Sequence, residues 1–156
     1  MCENAFLPYF PALLTAIIAG AAAWLTYLQQ RTNALRLKHE LFERRYKVYE
    51  SFRSFISGVM QEGKTSTAAC LSFLRETNQA EFLFGPEIPE YLTAVFKKGL
   101  NLVRTHERLF GEEGLQIGAE RTKVAEENSD HLQWFGDQFE VARERFRKYL
   151  NLTRLQ

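Results

Sequence analysis

Hydrophobic side chains dominate the start of the chain, and charged side chains are frequent in the rest. Residues 4–30 contain no Asp, Glu, Lys, Arg or His. The apolar run from Ala12 to Leu28 would form about 25 Å of α-helix, and residues 6–11 extend it toward the roughly 30 Å hydrocarbon core of a bilayer. We therefore expect residues 1–28 to hold an N-terminal segment and a single transmembrane helix. Aromatic residues flank this run as they flank membrane-spanning helices, namely Phe6, Tyr9, Phe10, Trp24 and Tyr27.

Two other interpretations of the apolar run stay open. A soluble protein could enclose it as a core helix, although a chain of 156 residues would have to surround it on all sides. It could also belong to a cleaved signal peptide, because residues 21–23 are three alanines that resemble a cleavage site. The residues before the run, however, include Glu3 and lack the Lys or Arg of a signal peptide.

Charge is asymmetric across the apolar run, and this asymmetry predicts an orientation. The N-terminal side has no Lys or Arg, whereas six basic residues lie between positions 31 and 47. Basic residues favour the cytoplasmic side of a membrane. We expect the N-terminus to lie outside and residues 29–156 to form a cytoplasmic domain.

The pattern after the run is helical throughout. No Gly or Pro occurs in residues 21–57, and apolar residues recur there with helical spacing, so the anchor is expected to continue as a long stalk helix. The segment EGKTS at 62–66 should end it. Further helices are expected at Thr67–Phe84, from near Pro89 to Phe110, and at Ala119–Leu152, the last with an alternative start at residues 129–130. The predicted fold is all-α, with a transmembrane helix that continues into a stalk and an antiparallel cytoplasmic bundle of about four helices.

Composition excludes several functional classes. Two cysteines cannot form a disulfide scaffold or a four-thiolate zinc site, and a net charge of +1 gives no global basic bias toward nucleic acid. His39, His106 and His131 lack metal-binding spacings, and the chain contains no nucleotide-binding or nucleophile motif. The sequence therefore predicts no catalytic, metal or cofactor-binding residue and no enzyme activity. His106, on an apolar stripe, is interpreted as a core or boundary residue, with a ligand role as the alternative.

The segment FLFGPEIPEYL at residues 82–92 allows two interpretations. It could be an exposed recognition hairpin at the end of the bundle far from the membrane. The interpretation that we favour is a corner between two helices, with Phe82, Phe84 and Ile88 filling the end of the bundle. The sequence alone does not exclude the first interpretation.

Two segments of the chain carry a resemblance to known proteins. Residues 35–56 read LRLKHELFERRYKVYESFRSFI, and residues 81–92 read EFLFGPEIPEYL. In these segments and in its layout, the chain resembles a loose group of small bacterial proteins with one N-terminal membrane helix, a basic segment and a helical cytoplasmic domain. The resemblance implies a bacterial inner-membrane protein. It implies no catalytic residue and no specific partner.

Two binding hypotheses follow from spacing and charge. Ala12, Ala16 and Gly20 lie four residues apart, and such small-residue faces let helices associate in lipid. Residues 29–64 and 141–156 each carry a net charge of +4, whereas residues 76–140 carry −7. If the last helix returns beside the stalk, its basic residues join those near the membrane in a collar that contacts anionic lipid: Arg31, Arg36, Lys38, Arg143, Arg145, Arg147 and Lys148.

The expected function is an interaction or scaffolding role without catalysis, in a single-pass protein of the inner membrane. The alternative is a small membrane effector, of a stress or phage-defence type, that perturbs the bilayer when it oligomerises. The expected partners are the lipid bilayer, an unidentified protein and a possible second copy of the chain, and no nucleic acid is expected.

Overall fold

The computed structural model describes residues 10–112 and 114–151. Within the first helix, it describes side chains at residues 14–30, at Asn33 and from Arg36 onward. All regular structure in these ranges is helical, which confirms the all-α class. The helices are α1 (Phe10–Glu62), α2 (Thr67–Thr77), α3 (Ala80–Leu83), α4 (Glu87–Phe110) and α5 (Ala119–Arg147).

The chain divides into two compact units, the first ending at Glu40 and the second beginning at Leu41. In the first unit, every described side chain from Leu14 to Glu40 is exposed. No helix in the described part of the chain is both long and apolar enough to cross a membrane. The transmembrane helix remains a prediction. The exposed large apolar side chains of this unit are Leu14, Ile17, Ile18, Trp24, Leu25, Tyr27, Leu28 and Leu37.

The second unit begins with the last part of α1, which ends where the sequence predicted. Gly63 follows α1 with φ 64°, a left-handed conformation that glycine adopts without a steric penalty. Ser66 then caps α2, and its Oγ accepts a hydrogen bond from the Ala69 amide at 3.1 Å. The predicted break at residues 62–66 is confirmed.

The sequence predicted one continuous helix over Thr67–Phe84, and this prediction is wrong. α2 ends at Thr77, a turn follows, and α3 is one short helical segment. Thr77 is buried and its hydroxyl donates to the Phe73 carbonyl at 2.7 Å. Thr77 and Asn78 are both weak helix formers, so two of them in succession favour the interruption.

The third and fourth predicted helices are present with shifted ends. α4 begins at Glu87, two residues before Pro89, because Pro89 fits within a first turn whose amides need no intrahelical partner. α5 runs without interruption from Ala119, so the alternative start at residues 129–130 is wrong. It ends at Arg147 rather than at Leu152, which lies outside the described residues.

Helices α4 and α5 pack antiparallel along most of their length. Tyr91 near the start of α4 donates a hydrogen bond to Gln138 near the end of α5 at 3.0 Å. Toward the opposite end, Arg108 pairs with Glu120 at 2.9 Å. This arrangement confirms the antiparallel bundle for this pair.

The core of the second unit is rich in aromatic rings contributed by α1. The Phe52 ring lies 5.7 Å from the Tyr91 ring and 6.3 Å from the Phe146 ring, and the Phe55 ring stacks on Phe73 at 4.6 Å. These contacts join α1, α2, α4 and α5 into one core. Its fully buried members include Val48, Phe52, Ile56, Ile88, Val95, Leu102, Phe135, Ala142 and Phe146.

Close packing of α4 against α1 and α2 depends on Gly99. A Cβ atom at this position would lie 2.9 Å from the Cys70 Sγ and 3.2 Å from the Phe55 ring. Because Gly99 has no side chain, the middle of α4 can pack closely against Phe55 of α1 and Cys70 of α2.

Candidate functional site

A slot of about 540 Å³ opens in the second unit between α1, α2 and α4. It exists because the two helices of the α1–α2 hairpin present small side chains to each other. Ser51, Ser54 and Gly58 line it from α1, and Ala69 and Ser72 line it from α2. A Cβ atom added at Gly58 would meet no atom within 4 Å, so the space in front of it is open. This volume is within the range of small-molecule sites.

The floor of the slot is apolar, and its rim is polar. Phe55, Val59, Phe73 and Val103 supply the floor. The rim carries hydroxyl groups, three carboxylates and one ammonium group, which are Thr65, Ser66, Thr67, Glu62, Glu76, Glu107 and Lys64. Such a lining suits a ligand that is apolar along its length and positively charged at particular points.

His106 also lines the slot, so its side chain is next to the space that a ligand would occupy. Its ring lies 4.8 Å from the Phe110 ring, and its Nδ1 is buried without a hydrogen-bond partner. No group of three or more His, Cys, Asp or Glu residues able to hold a metal ion occurs within residues 10–112 and 114–151. His106 is thus a boundary residue beside the slot.

The segment at residues 82–92 forms a packed corner with one exposed ring. Ile88 is fully buried, and the Phe84 ring packs edge-on against Phe146 at 5.3 Å and Tyr149 at 5.1 Å. Phe82 does not fill the bundle end, since it is 84% exposed. Of the two interpretations, the helix corner is observed for Phe84 and Ile88 and fails for Phe82.

A polar cluster holds this corner to the beginning of the second unit. Arg45 of α1 donates from Nε to the Leu83 carbonyl at 2.8 Å, and its guanidinium lies 5.3 Å from the Tyr149 ring centre. The Gly85 amide donates to the Tyr149 hydroxyl at 2.9 Å, and that hydroxyl donates to Glu87 at 2.7 Å. The corner therefore lies at the end of the unit where α1 enters.

The acid of this cluster is Glu87, and its pKa is strongly lowered. The Lys148 ammonium and the Tyr149 hydroxyl donate hydrogen bonds to its carboxylate and lower its pKa from 4.5 to about 2. Through the same contact, Glu87 raises the pKa of Lys148. The arrangement is a structural clamp between α4 and the chain after α5.

The residues of the predicted basic collar fall in both units. Arg36 and Lys38 are exposed in the first unit, and the Arg31 side chain lies outside the described residues. In the second unit, Lys148 pairs with Glu87 and Arg143 pairs with Glu140 at 3.3 Å. Arg145 lies over the Tyr91 ring at 4.8 Å, and Arg147 is exposed.

The predicted self-association face is described only in part. Ala16 and Gly20 are exposed on α1, and a Cβ atom at Gly20 would meet nothing within 4 Å. The side chain of Ala12 lies outside the described residues.

A row of buried polar groups between α4 and α5 was missed by the sequence analysis. The Thr105 hydroxyl donates to the side-chain Oδ1 of Asn128 at 2.9 Å, and the side-chain Oε1 of Gln138 accepts from the Tyr91 hydroxyl. His131 is 7% exposed and neither ring nitrogen has a hydrogen-bond partner. Burial and the nearby Lys98 ammonium lower the pKa of His131. His131 lies three residues after Asn128 and four before Phe135, and this helical spacing was the signal in the sequence that the three residues share one face.

Comparison with protein-family models, with curated proteins and with solved structures finds no match to this chain.

Proposed function

We propose that the protein is a single-pass membrane protein whose second unit is a non-catalytic interaction module. The observation that carries the proposal is the exposure of the apolar side chains between Leu14 and Leu28, in a chain whose second unit has its own closed core. Contiguous exposed apolar surface marks contact with a protein or a membrane, and an uncharged run of this length favours the membrane. The uncharged run extends from residue 4 to residue 30 in the sequence.

Charged substitutions in the apolar run test the anchor. A variant with Ile17→Asp and Ile18→Asp should leave the membrane fraction, because each acid at the centre of a membrane helix costs about 3 kcal/mol. Leu37→Asp is the matched control, since Leu37 is 71% exposed but lies beyond the run. Alkaline extraction of membranes, followed by quantification of the protein, measures the effect. Equal retention of both variants would contradict the anchor.

Orientation follows from the basic residues after the run. In a bacterial inner membrane, the N-terminus lies outside and the second unit lies in the cytoplasm. A reporter fused after Gln156 should behave as cytoplasmic, and lysines added before Phe6 should weaken this preference. A periplasmic reporter on the native sequence would contradict the orientation.

Self-association through Ala12, Ala16 and Gly20 is part of the proposal. The open space at Gly20 supports it, because nothing within the unit occupies that face. Gly20→Ile should reduce association in a membrane two-hybrid assay. An unchanged signal would contradict association through this face.

The basic collar is proposed as the contact between the second unit and anionic lipid. Arg147 is exposed and Arg143 forms only a surface pair with Glu140, so these two side chains can turn toward lipid, whereas Lys148 is held by Glu87. Each basic group near an anionic leaflet contributes about 1 kcal/mol. Reversal of Arg143, Arg145 and Arg147 to Glu should abolish binding of a fragment from Gln29 onward to anionic liposomes. Equal binding by the reversed variant and the native fragment would contradict the collar.

The protein partner is identified by crosslinking in native membranes followed by mass spectrometry. Phe82 is 84% exposed beside a packed corner, and it is the exposed aromatic side chain of the segment that the sequence singled out for recognition. Phe82→Ser should reduce the yield of the specific crosslinked species without changing the far-ultraviolet circular dichroism. A species unaffected by Phe82→Ser would place the partner on another surface.

A further inference from the structure

The slot between α1, α2 and α4 extends along the α1–α2 hairpin. Its α1 wall runs from Ser51 to Glu62 and its α2 wall from Ser66 to Glu76, which correspond to about 17 and 15 Å of helix. A ligand that reaches from one end of the slot to the other must therefore be extended.

The order of the lining residues along the slot follows from the packing. Phe55 stacks on Phe73, so Ser51 and Glu76 lie together on the side away from the 63–66 loop. Glu62 lies at the loop end. Glu107 lies two turns beyond Gly99 along α4, toward the same end.

Negative charge is therefore present at both ends of the slot. Glu76 lies at one end, and Glu62 and Glu107 lie at the other, accompanied by Lys64. Three carboxylates and one ammonium give the lining a net charge of −2. The ion pairs of Glu87, Glu120, Glu127 and Glu140 lie elsewhere and do not involve Glu62, Glu76 or Glu107.

Between the charged ends, the lining alternates apolar surface with hydroxyl groups. Phe55, Val59 and Phe73 offer contact for methylene groups, and Ser54 offers a hydroxyl oxygen that accepts hydrogen bonds from ammonium groups. The Ser72 Oγ already accepts a hydrogen bond from the Arg75 guanidinium at 3.2 Å. A ligand with methylene segments between cationic nitrogens satisfies both kinds of surface.

We propose that this slot binds a linear polyamine. The terminal ammonium groups pair with Glu76 at one end and with Glu62 and Glu107 at the other, and the methylene segments lie over the aromatic floor. The site lies wholly within the second unit and does not depend on the membrane anchor. Binding would make the interaction module responsive to polyamine concentration.

Calorimetric titration of the full-length protein with spermine, a linear tetraamine, tests the proposal. Saturable one-to-one binding is expected. Glu76→Gln and Glu107→Gln should each weaken it by about two- to fivefold, the range for exposed ion pairs. Glu126→Gln is the matched control, because Glu126 is exposed on α5 and does not line the slot.

Gly58→Phe provides a second test that depends on shape rather than charge. A Cβ atom at Gly58 meets nothing within 4 Å, and the ring beyond it would occupy the slot, so binding should be lost while the circular dichroism spectrum is retained. Gly58→Ala should fold and bind, and it controls for the loss of the glycine. If Gly58→Phe does not fold, the two glutamate variants still decide the outcome.

Ligand length and ion competition separate the slot from general charge attraction. Putrescine, a short diamine, should bind more weakly than spermine because it cannot reach both ends. Magnesium at equal charge concentration should not displace spermine. Equal effects of Glu126→Gln and Glu76→Gln, displacement by magnesium, or the absence of saturable binding at millimolar spermine would each overturn the proposal, and none would affect the membrane anchor.

Discussion

The two units of this protein differ in how far their apolar side chains are exposed. Between Leu14 and Leu28, α1 leaves large apolar side chains exposed, whereas α1 from Val48 to Val59 buries its apolar stripe against three other helices. One helix thus has two environments. The difference teaches that the second unit is stabilised by its own core, whereas the described apolar side chains of the first unit are not buried in one.

Substitution of one buried and one exposed side chain sharpens this comparison most. Phe52 is fully buried, so Phe52→Ala should lower the free energy of unfolding of the second unit by about 3–5 kcal/mol. Ile17 is 63% exposed, so Ile17→Ala should change the same free energy by less than about 0.5 kcal/mol. Denaturant unfolding followed by near-ultraviolet circular dichroism measures both. A large effect of Ile17→Ala would mean that the two units unfold together.

Two glycines provide a smaller and finer test within the second unit. Gly99→Ala forces a Cβ atom against Cys70 and Phe55 and should destabilise the unit by about 1–3 kcal/mol. Gly58→Ala meets open space and should stabilise it by about 0.5–1 kcal/mol, because alanine is the better helix former. Thermal unfolding of the two variants compares them directly. The same sign for both would contradict the packing around the slot.

The corner cluster predicts a pH dependence confined to the second unit. Because the folded protein lowers the pKa of Glu87 from 4.5 to about 2, its contribution to stability is present above pH 4.5 and is lost as the pH falls toward 2. Glu87→Gln should remove this part of the acid dependence in unfolding measurements over that range. Glu126→Gln, an exposed acid on α5, serves as the control. An unchanged acid profile in Glu87→Gln would show that the clamp does not form in solution.

Local signals predicted the elements whose ends are set by nearby residues. The end of α1 at Glu62 and the start of α5 at Ala119 follow from a glycine and its neighbours, and both are observed as expected. The interruption after Thr77 was not predicted, because the apolar pattern continues across it through Phe82 and Leu83. Periodicity alone does not reveal a turn between two short helices.

Helix faces were harder to predict where polar residues are buried. Phe110 and Phe139 fit apolar stripes but are 62% and 37% exposed, whereas Asn128 and Gln138 are buried. These polar side chains enter the interior because Thr105 and Tyr91 on α4 are their hydrogen-bond partners. Such pairing depends on which helices meet, and a single sequence does not show that.

The slot could not be predicted because it is a space between helices that small side chains do not fill. Ser51, Ser54 and Gly58 have the character of an ordinary polar helix surface in the sequence. Only the approach of α2, with Ala69 and Ser72 opposite, turns that surface into one wall of a cavity. The corner cluster is similar, since Arg45 and Tyr149 are more than a hundred residues apart.

The two tryptophans allow the most direct test of the central claim, because Trp24 lies in the first unit and Trp134 lies in the second. Single-tryptophan versions, made by Trp134→Phe or Trp24→Phe, are reconstituted as full-length chains in vesicles, and quenching by brominated lipid is compared with quenching by aqueous iodide. Trp24 should be quenched by the lipid and protected from iodide, whereas Trp134 should not respond to brominated lipid. Quenching of Trp24 by iodide to the extent seen for an exposed indole, with no response to brominated lipid, would contradict the membrane anchor.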